Sequence, residues 1–203
     1  MITRISKKIT EAFLKNNIIN EKDKDLYTYG LEYIVSAVLP ISISIVISAL
    51  FDLSGTVLLY TLTFIVFRVF AGGYHASSHL KCQILFLVIL AVCTFTFKIM
   101  AGLETSILQI ITITLAIIAS CIIIRLAPVD NANKPFCREE FISFRKKTRI
   151  LNSFVLLSLI IVINFTNDII IFFGISFAML TVAISLIVAK KGRRENEEVS
   201  MVD

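Results

Sequence analysis

The chain has 203 residues, of which 57% are hydrophobic and only 17% are charged. A soluble domain is usually nearer half apolar and a quarter charged, so this composition excludes a water-soluble globular domain and indicates a single integral membrane domain, residues 1–203. The formal net charge of +5 is compatible in principle with nucleic-acid binding. The positions of the charges, given below, indicate orientation in a lipid bilayer instead, and no nucleic-acid partner is expected.

The N-terminal segment, residues 1–32, is predicted to be amphipathic and cytoplasmic. Residues 2–15 place apolar side chains at helical spacing and basic side chains opposite them, which predicts a helix lying on an anionic leaflet; an ordinary solvated helix is the alternative. The apolar set is Ile2, Ile5, Ile9, Ala12 and Phe13, and the basic set is Arg4, Lys7, Lys8 and Lys15. Residues 16–32 are predicted to be a polar connector. No cleavable signal peptide is expected, because residues 1–24 are polar and charged.

Six apolar runs follow, and they predict an all-α polytopic membrane protein with about six transmembrane helices within residues 33–189. The runs cover residues 33–51, 56–71, 84–101, 106–127, 150–166 and 169–189. A spanning helix needs about 20 residues, so the run at 56–71 is slightly short and either spans or re-enters. The linkers at 52–55, 102–105 and 167–168 predict tight hairpins.

Basic residues are distributed unequally between the two sides of this predicted bundle. In a six-span arrangement every Lys and Arg except Lys98 falls on one side, including those of the basic loop 128–149 and the tail 190–203. Because cytoplasmic segments are enriched in Lys and Arg, both termini are predicted to be cytoplasmic. Four full spans with two re-entrant segments would give the same sidedness. The charged tail is predicted to be disordered.

Residues 68–82 form a polar segment between the second and third apolar runs. This stretch contains both histidines of the chain, His75 and His79, and the pair Gly72-Gly73. Polar, reactive groups between apolar spans indicate a functional site. A thiol is a strong nucleophile only as a thiolate, and an imidazole base and neighbouring cations favour that form. Cys82 is therefore a candidate nucleophile at the cytoplasmic face, with a histidine as its base.

Helix geometry limits which histidine can serve Cys82. Seven residues of a straight helix rise about 10 Å, whereas direct proton transfer needs heavy atoms about 3 Å apart. If His75 is the base, the stretch cannot be one straight helix within one subunit. Gly72-Gly73 offers the backbone freedom for a bend, and a site shared across a dimer is the alternative. His79 lies on the same helical turn as Cys82 and competes for the role.

Two other interpretations use the same residues. His75, His79 and Cys82 fall at i, i+4 and i+7, which suits three zinc ligands on one helical face, although no fourth ligand or carboxylate base is evident nearby. In the other interpretation, these polar residues simply cross the membrane interface and have no chemical role.

The remaining cysteines are poorer candidates for catalysis. Cys93 and Cys121 fall inside apolar runs, where small packing residues are expected. Cys137 has Arg138 beside it but no histidine near it in sequence. No disulfide framework is predicted, since Cys82 and Cys137 are placed in the reducing cytosol.

Two motifs carry a resemblance to a known family. The first is Arg68-x3-Gly72-Gly73-x-His75-Ala76-x5-Cys82, and the second is Ala127-Pro128-Val129-Asp130-x3-Lys134-Pro135, which precedes a basic segment. With the length and hydropathy of the chain, they resemble the AgrB family, bacterial membrane endopeptidases that process the AgrD quorum-sensing pro-peptide. The first motif is the more specific of the two.

The resemblance implies a role for each matching residue. The family's catalytic histidine falls on His75 and its catalytic cysteine on Cys82, while His79 occupies a variable position. The positions expected to support the site are Arg68, Gly72 and Gly73.

The resemblance also implies the reaction and the partners. It implies a cysteine endopeptidase without a metal or cofactor, working as a homodimer in the bacterial plasma membrane with a cytoplasmic active site. Its substrate is an AgrD-like pro-peptide with an amphipathic N-terminal helix, a central cysteine and an acidic C-terminal tail. Cys82 attacks the peptide bond before the tail, and the substrate thiol then attacks the resulting thioester to give a cyclic thiolactone. A serine in place of the substrate cysteine would give a lactone.

Basic residues of the loop 128–149 are candidate contacts for the acidic tail of the substrate. They are Lys134, Arg138, Arg145, Lys146, Lys147 and Arg149. Lipid headgroups are the alternative partner, because the enrichment of cytoplasmic segments in Lys and Arg by itself predicts such a cluster.

Two rival functions belong to other classes. The first is a zinc-dependent membrane enzyme that uses His75, His79 and Cys82. The second is a non-enzymatic peptide transporter, which would more often show paired half-helices and charges at mid-span. Charged residues within the apolar runs of this chain lie toward the ends of those runs, which disfavours transport.

Overall fold

The computed structural model describes residues 2–74, 79–129 and 136–200, and it is 87% helical. Within these ranges the α-helices are α1 Ile2–Lys15, α2 Lys24–Leu50, α3 Ser54–Ala71, α4 His79–Met100, α5 Thr105–Leu126, α6 Arg138–Val162 and α7 Ile169–Ser200. Two short 3-10 helices, Glu21–Asp23 and Ile163–Phe165, precede α2 and extend α6. No β-strand occurs in the described residues, so the predicted all-α fold is confirmed.

Four helical segments are long and apolar enough to cross a membrane, which confirms the prediction of a polytopic membrane protein. They are Lys81–Met100, Thr105–Leu126, Arg138–Phe165 and Ile169–Gly192. Two shorter apolar segments, Val38–Leu50 and Gly55–Ala71, correspond to the first two predicted runs. Since a full span needs about 20 residues, these lengths fit both the six-span arrangement and the one with two partial spans.

Helix α1 coincides with the predicted amphipathic segment and packs against α2 with one flank. Ser6 and Thr10 are fully buried, and the Thr28 hydroxyl of α2 donates to the Thr10 hydroxyl oxygen at 3.1 Å. Ile5, on the predicted apolar face, is exposed. Part of the apolar face is therefore still available for the predicted contact with lipid.

Three segments predicted to be non-helical are helical in part. Helix α2 begins at Lys24, inside the predicted connector 16–32, and α6 begins at Arg138, inside the predicted basic loop 128–149. The prediction of a disordered tail is wrong for its described part, because α7 continues to Ser200. Once a helix has nucleated, each added residue gains a hydrogen bond at small cost, so an apolar helix extends into polar residues that favour helix.

The start of α6 is set by a capping box at Cys137 and Glu140. The Cys137 sulfur accepts a hydrogen bond from the Glu140 backbone N–H at 3.5 Å, and the Glu140 carboxylate accepts from the Cys137 N–H at 3.2 Å. Such reciprocal bonds satisfy donors that a helix N-terminus otherwise leaves unpaired. The basic residues that follow are thus presented on a helix.

Helix α7 packs against both α3 and α5. Gly174 permits close approach, since a Cβ at this position would lie 2.7 Å from the Thr56 carbonyl oxygen of α3. Nearer the C-terminal ends of α3 and α5, the core contains Phe67, Ile123 and Val182, one from each of the three helices and all fully buried. This packing brings the segments that leave α3 and α5 to the same side of α7.

Candidate active site

The glycine pair ends helix α3 and turns the chain. Helix α3 stops at Ala71, and Gly72 and Gly73 have φ values of +72° and +120°, which side-chain-bearing residues rarely adopt. A Cβ on Gly72 would also collide with the Val129 carbonyl oxygen. Since residues 72–74 are not helical, residues 70–85 are not one straight helix.

The turn at Gly72 is held by the segment that follows α5. The Val129 N–H donates to the Ala71 carbonyl oxygen at 3.0 Å, and the Gly73 N–H donates to the Val129 carbonyl oxygen at 3.4 Å. These bonds form an isolated parallel bridge between Gly72 and Val129. The two motifs recognised in the sequence are therefore in direct contact, which sequence spacing did not predict.

Arg68 is directed to the turn by two hydrogen bonds. Its Nη1 donates to the Gly72 carbonyl oxygen at 3.1 Å and to the Ser185 Oγ of α7 at 2.7 Å. Ser185 also accepts from the Tyr74 backbone N–H, through Oγ at 3.1 Å and through its carbonyl oxygen at 3.3 Å. The guanidinium thus connects α3, the turn and α7.

Cys82 lies in the first turn of α4 and carries a partly exposed, free thiol. It is close enough to Arg68 for the two side chains to interact electrostatically. Of the predicted site residues, Arg68, Gly72, Gly73 and Cys82 are thereby brought together.

His75 and Lys134 lie outside the described residues, so their positions relative to Cys82 stay predictions. His79 is the first residue of α4, one turn before Cys82.

The remaining predicted contacts lie on the first turns of α6. Arg138, Arg145, Lys146, Lys147 and Arg149 are all exposed. A shallow groove of about 370 Å³ is lined by Phe141, Ile142, Arg145, Lys146, Arg149 and Ile150. Beside it the Lys147 ammonium lies 5.6 Å from the centre of the Phe144 ring. This surface offers cations next to apolar groups, which suits an acidic peptide with apolar side chains or a lipid headgroup region.

Comparison with known proteins identifies the family. The family model described as accessory gene regulator B (AgrB) matches residues 6–186. The chain belongs to the AgrB family. Two relatives described as "AgrB-like" come from Clostridium perfringens: that of strain SM101 / Type A is 25% identical over 171 residues, which is 82% of this chain and 80% of the relative. That of strain 13 / Type A is 24% identical over 172 residues, with 83% and 80% covered. No solved structure matches the chain.

Membership of the AgrB family confirms the resemblance carried by the two motifs. It supports an involvement in accessory gene regulator processing, at a membrane and with an AgrD-like peptide as the implied partner. It agrees with the apolar helices described above, which indicate a membrane protein independently of any relative.

The other three cysteines of this AgrB-family chain lie within helices α4 and α5 and at the start of α6. Cys93 is 2% exposed. Cys121 lies on the spanning helix α5, and Cys137 caps α6. The described residues contain no group of three or more His, Cys, Asp or Glu side chains that could hold a metal ion. The zinc interpretation depends on His75 and the His79 side chain, which lie outside the described part, and it stays a prediction.

Ser185 is the site residue that sequence reasoning missed. It lies in the last apolar run, and a hydroxyl there could have indicated a polar contact between helices. The sequence contains no signal for its partner, because Arg68 is 117 residues away.

Proposed function

We propose that this AgrB-family chain is a membrane cysteine endopeptidase that removes the acidic C-terminal tail of an AgrD-like pro-peptide. The observation that carries the proposal is the free, partly exposed Cys82 thiol, which follows a glycine turn held by hydrogen bonds to Arg68 and Val129. A thiol in this position is accessible to a peptide, and a histidine base is the group that would generate its nucleophilic thiolate.

His75 is the proposed general base. It takes the proton of Cys82, and the thiolate attacks the carbonyl carbon of the peptide bond before the tail. The C–N bond breaks, the tail leaves as an amine that receives the proton from His75, and a thioester to Cys82 remains. Near-attack geometry requires the imidazole within about 3 Å of the sulfur, so the proposal requires that residues 75–82 do not form one straight helix.

Ring closure is a second acyl transfer on the same thioester. The substrate's own cysteine thiol loses its proton to His75 and attacks the thioester carbonyl, and Cys82 leaves as the thiol. One thioester replaces another, so the step is close to isoenergetic, and removal of the tail or the product drives it forward. Exclusion of water from the site favours the thiolactone over hydrolysis.

The charged surface of α6 is the proposed contact for the acidic tail. Its three groove-lining cations, Arg145, Lys146 and Arg149, are exposed and lie beside the apolar Phe141 and Ile150. Lipid headgroups are the competing ligand for these three cations.

The remaining elements of the proposal are location and assembly. The basic segments support cytoplasmic termini and a cytoplasmic active site in the plasma membrane of a bacterium. A homodimer is proposed from the family resemblance.

Co-expression with an AgrD-like pro-peptide tests the proposal directly. Release of the tail is followed by mass spectrometry in the wild type and in Cys82→Ala, His75→Ala, His79→Ala and Cys137→Ala. We expect loss of tail release in the first two variants only, and a hydroxylamine-sensitive adduct of peptide with wild-type protein. Cys137→Ala is the matched thiol control and His79→Ala the matched imidazole control.

Each rival function has its own outcome in this experiment. Full processing by Cys82→Ala contradicts the cysteine endopeptidase. Equal loss in His79→Ala, together with inhibition by a chelator, supports a zinc enzyme. Passage of intact peptide across the membrane without cleavage supports a transporter.

A further inference from the structure

We infer that Ser185 is a positioning residue for the reaction, an inference that rests on the proposed function. Its hydroxyl is the point where helix α7 holds both the Arg68 guanidinium and the backbone that precedes the proposed base His75. Ser185 touches neither Cys82 nor substrate in this assignment, and it acts through Arg68 and Tyr74.

The hydroxyl of Ser185 is saturated as an acceptor. A hydroxyl oxygen has two lone pairs, and Ser185 Oγ accepts from Arg68 Nη1 at 2.7 Å and from the Tyr74 N–H at 3.1 Å. The 2.7 Å bond to a guanidinium is short and charge-assisted, which makes it one of the stronger types. Both donors come from a different part of the chain, so the contact joins elements.

The first of these bonds holds the Arg68 guanidinium, the cation proposed to act on Cys82. Arg68 has rotamer freedom along a long side chain, and the attraction between its positive charge and a Cys82 thiolate depends on their separation. The bonds to Ser185 and to the Gly72 carbonyl oxygen hold the guanidinium in one place. Loss of the Ser185 acceptor therefore removes one of the two restraints on the Arg68 charge.

The second bond connects Ser185 to the chain that carries the proposed base. Tyr74 immediately precedes His75, and its N–H points at Ser185 Oγ and at the Ser185 carbonyl oxygen. Gly73 leaves space for this approach, because a Cβ there would lie 2.7 Å from Ser185 Oγ. The backbone of Tyr74, just before His75, is thus hydrogen-bonded to the same α7 hydroxyl that holds Arg68.

The position of Ser185 itself is rigid. Its helix neighbours Val182 and Leu186 are fully buried in the core that α7 shares with α3 and α5. A serine that serves helix packing alone commonly bonds to a carbonyl of its own helix, as Ser176 of α7 does to Phe172 at 3.2 Å. Ser185 instead accepts from a side chain of α3 and from the turn after it.

The test measures kcat and KM for tail release by purified protein in liposomes. The variants are Ser185→Ala, the isosteric pair Ser185→Thr and Ser185→Val, and the control Ser176→Ala from the same helix. We expect kcat to fall on the order of 10- to 100-fold in the Ala and Val variants, because small misplacement of reacting groups has effects of this size. KM should stay within about twofold, the Thr variant should recover most of kcat, and Ser176→Ala should match the wild type.

The outcomes separate this inference from the function on which it rests. Equal kcat in Ser185→Thr and Ser185→Val, while Cys82→Ala is inactive, overturns the role of Ser185 and leaves the endopeptidase intact. Full processing by Cys82→Ala overturns the function first. If Ser185→Ala fails to fold, the Thr and Val variants still decide, because they differ only in a hydroxyl against a methyl group.

Discussion

The Val129 backbone N–H donates to the carbonyl oxygen of Ala71 at 3.0 Å and thereby joins the end of α5 to the end of α3. This carbonyl belongs to the last turn of α3, whose carbonyl groups have no partner further along the helix. The bond satisfies one of them at the position where the chain turns toward Cys82. The segment 127–129 is thus part of the structural support of the candidate site.

Gly72→Ala is expected to disrupt this junction. A non-glycine residue at φ +72° and ψ −141° costs about 1–3 kcal/mol, and the added Cβ would also collide with the Val129 carbonyl oxygen. We expect a lower thermal unfolding temperature in detergent and loss of tail release. Gly30→Ala is the control, since nothing lies within 4 Å of a Cβ there. Equal unfolding temperatures for the two variants would contradict the role of the turn.

Ser120→Ala is expected to loosen the contact between α5 and α6. The Asn152 side-chain amide donates to the Ser120 hydroxyl oxygen at 2.6 Å in the buried interior of the bundle. Polar contacts between membrane helices contribute about 0.6–1.7 kcal/mol, because the unfolded chain in lipid also finds partners. The measurement is thermal unfolding in detergent, with the exposed Ser153→Ala of α6 as control. A Ser120 variant as stable as that control would show that this bond adds no stability.

Replacement of the three groove cations of α6 by glutamine is expected to weaken substrate binding. Exposed ion pairs contribute about 0.2–1 kcal/mol each, so the triple variant of Arg145, Lys146 and Arg149 should raise KM about tenfold and leave kcat nearly unchanged. The increase should shrink at high salt, which screens the wild-type contacts. The matched control neutralises Arg4, Lys7 and Lys8 of α1, which are also exposed. An unchanged KM would assign the α6 cations to lipid headgroups.

Labelling of Cys137 is expected to report the sidedness of the protein. Cys137 is exposed at the start of α6, in the predicted cytoplasmic part. A membrane-impermeant maleimide should label it, in a Cys82→Ala background, in inside-out vesicles and not in right-side-out vesicles. Leu103→Cys, in the exposed hairpin between α4 and α5 and in a background that also carries Cys137→Ala, should show the opposite pattern. Labelling of Cys137 from the outside would reverse the predicted orientation.

Much of the candidate site could be predicted from sequence because it lies in one short stretch. The positive φ values at Gly72 and Gly73 follow from the residue type, and the break between α3 and α4 was needed for any cooperation of His75 with Cys82. The first motif identified Arg68 as a residue that supports the site, but the sequence did not predict which residues Arg68 contacts. The start of α6 was also missed, because a cysteine is an unusual N-cap and the capping box depends on the local turn.

The sequence by itself determined the all-α membrane fold, the extent of α1, the approximate limits of the apolar helices and the glycine turn. These features depend on local periodicity, on the thickness of a bilayer and on the conformational freedom of glycine. Only the tertiary structure decided that Val129 and Ser185 meet the turn after α3. Both contacts depend on how α5 and α7 pack against α3, and side chains from three helices determine that packing together. The physical reason is that a hydrogen bond between residues 117 positions apart has no local pattern in the sequence, although it holds the Arg68 guanidinium at the turn.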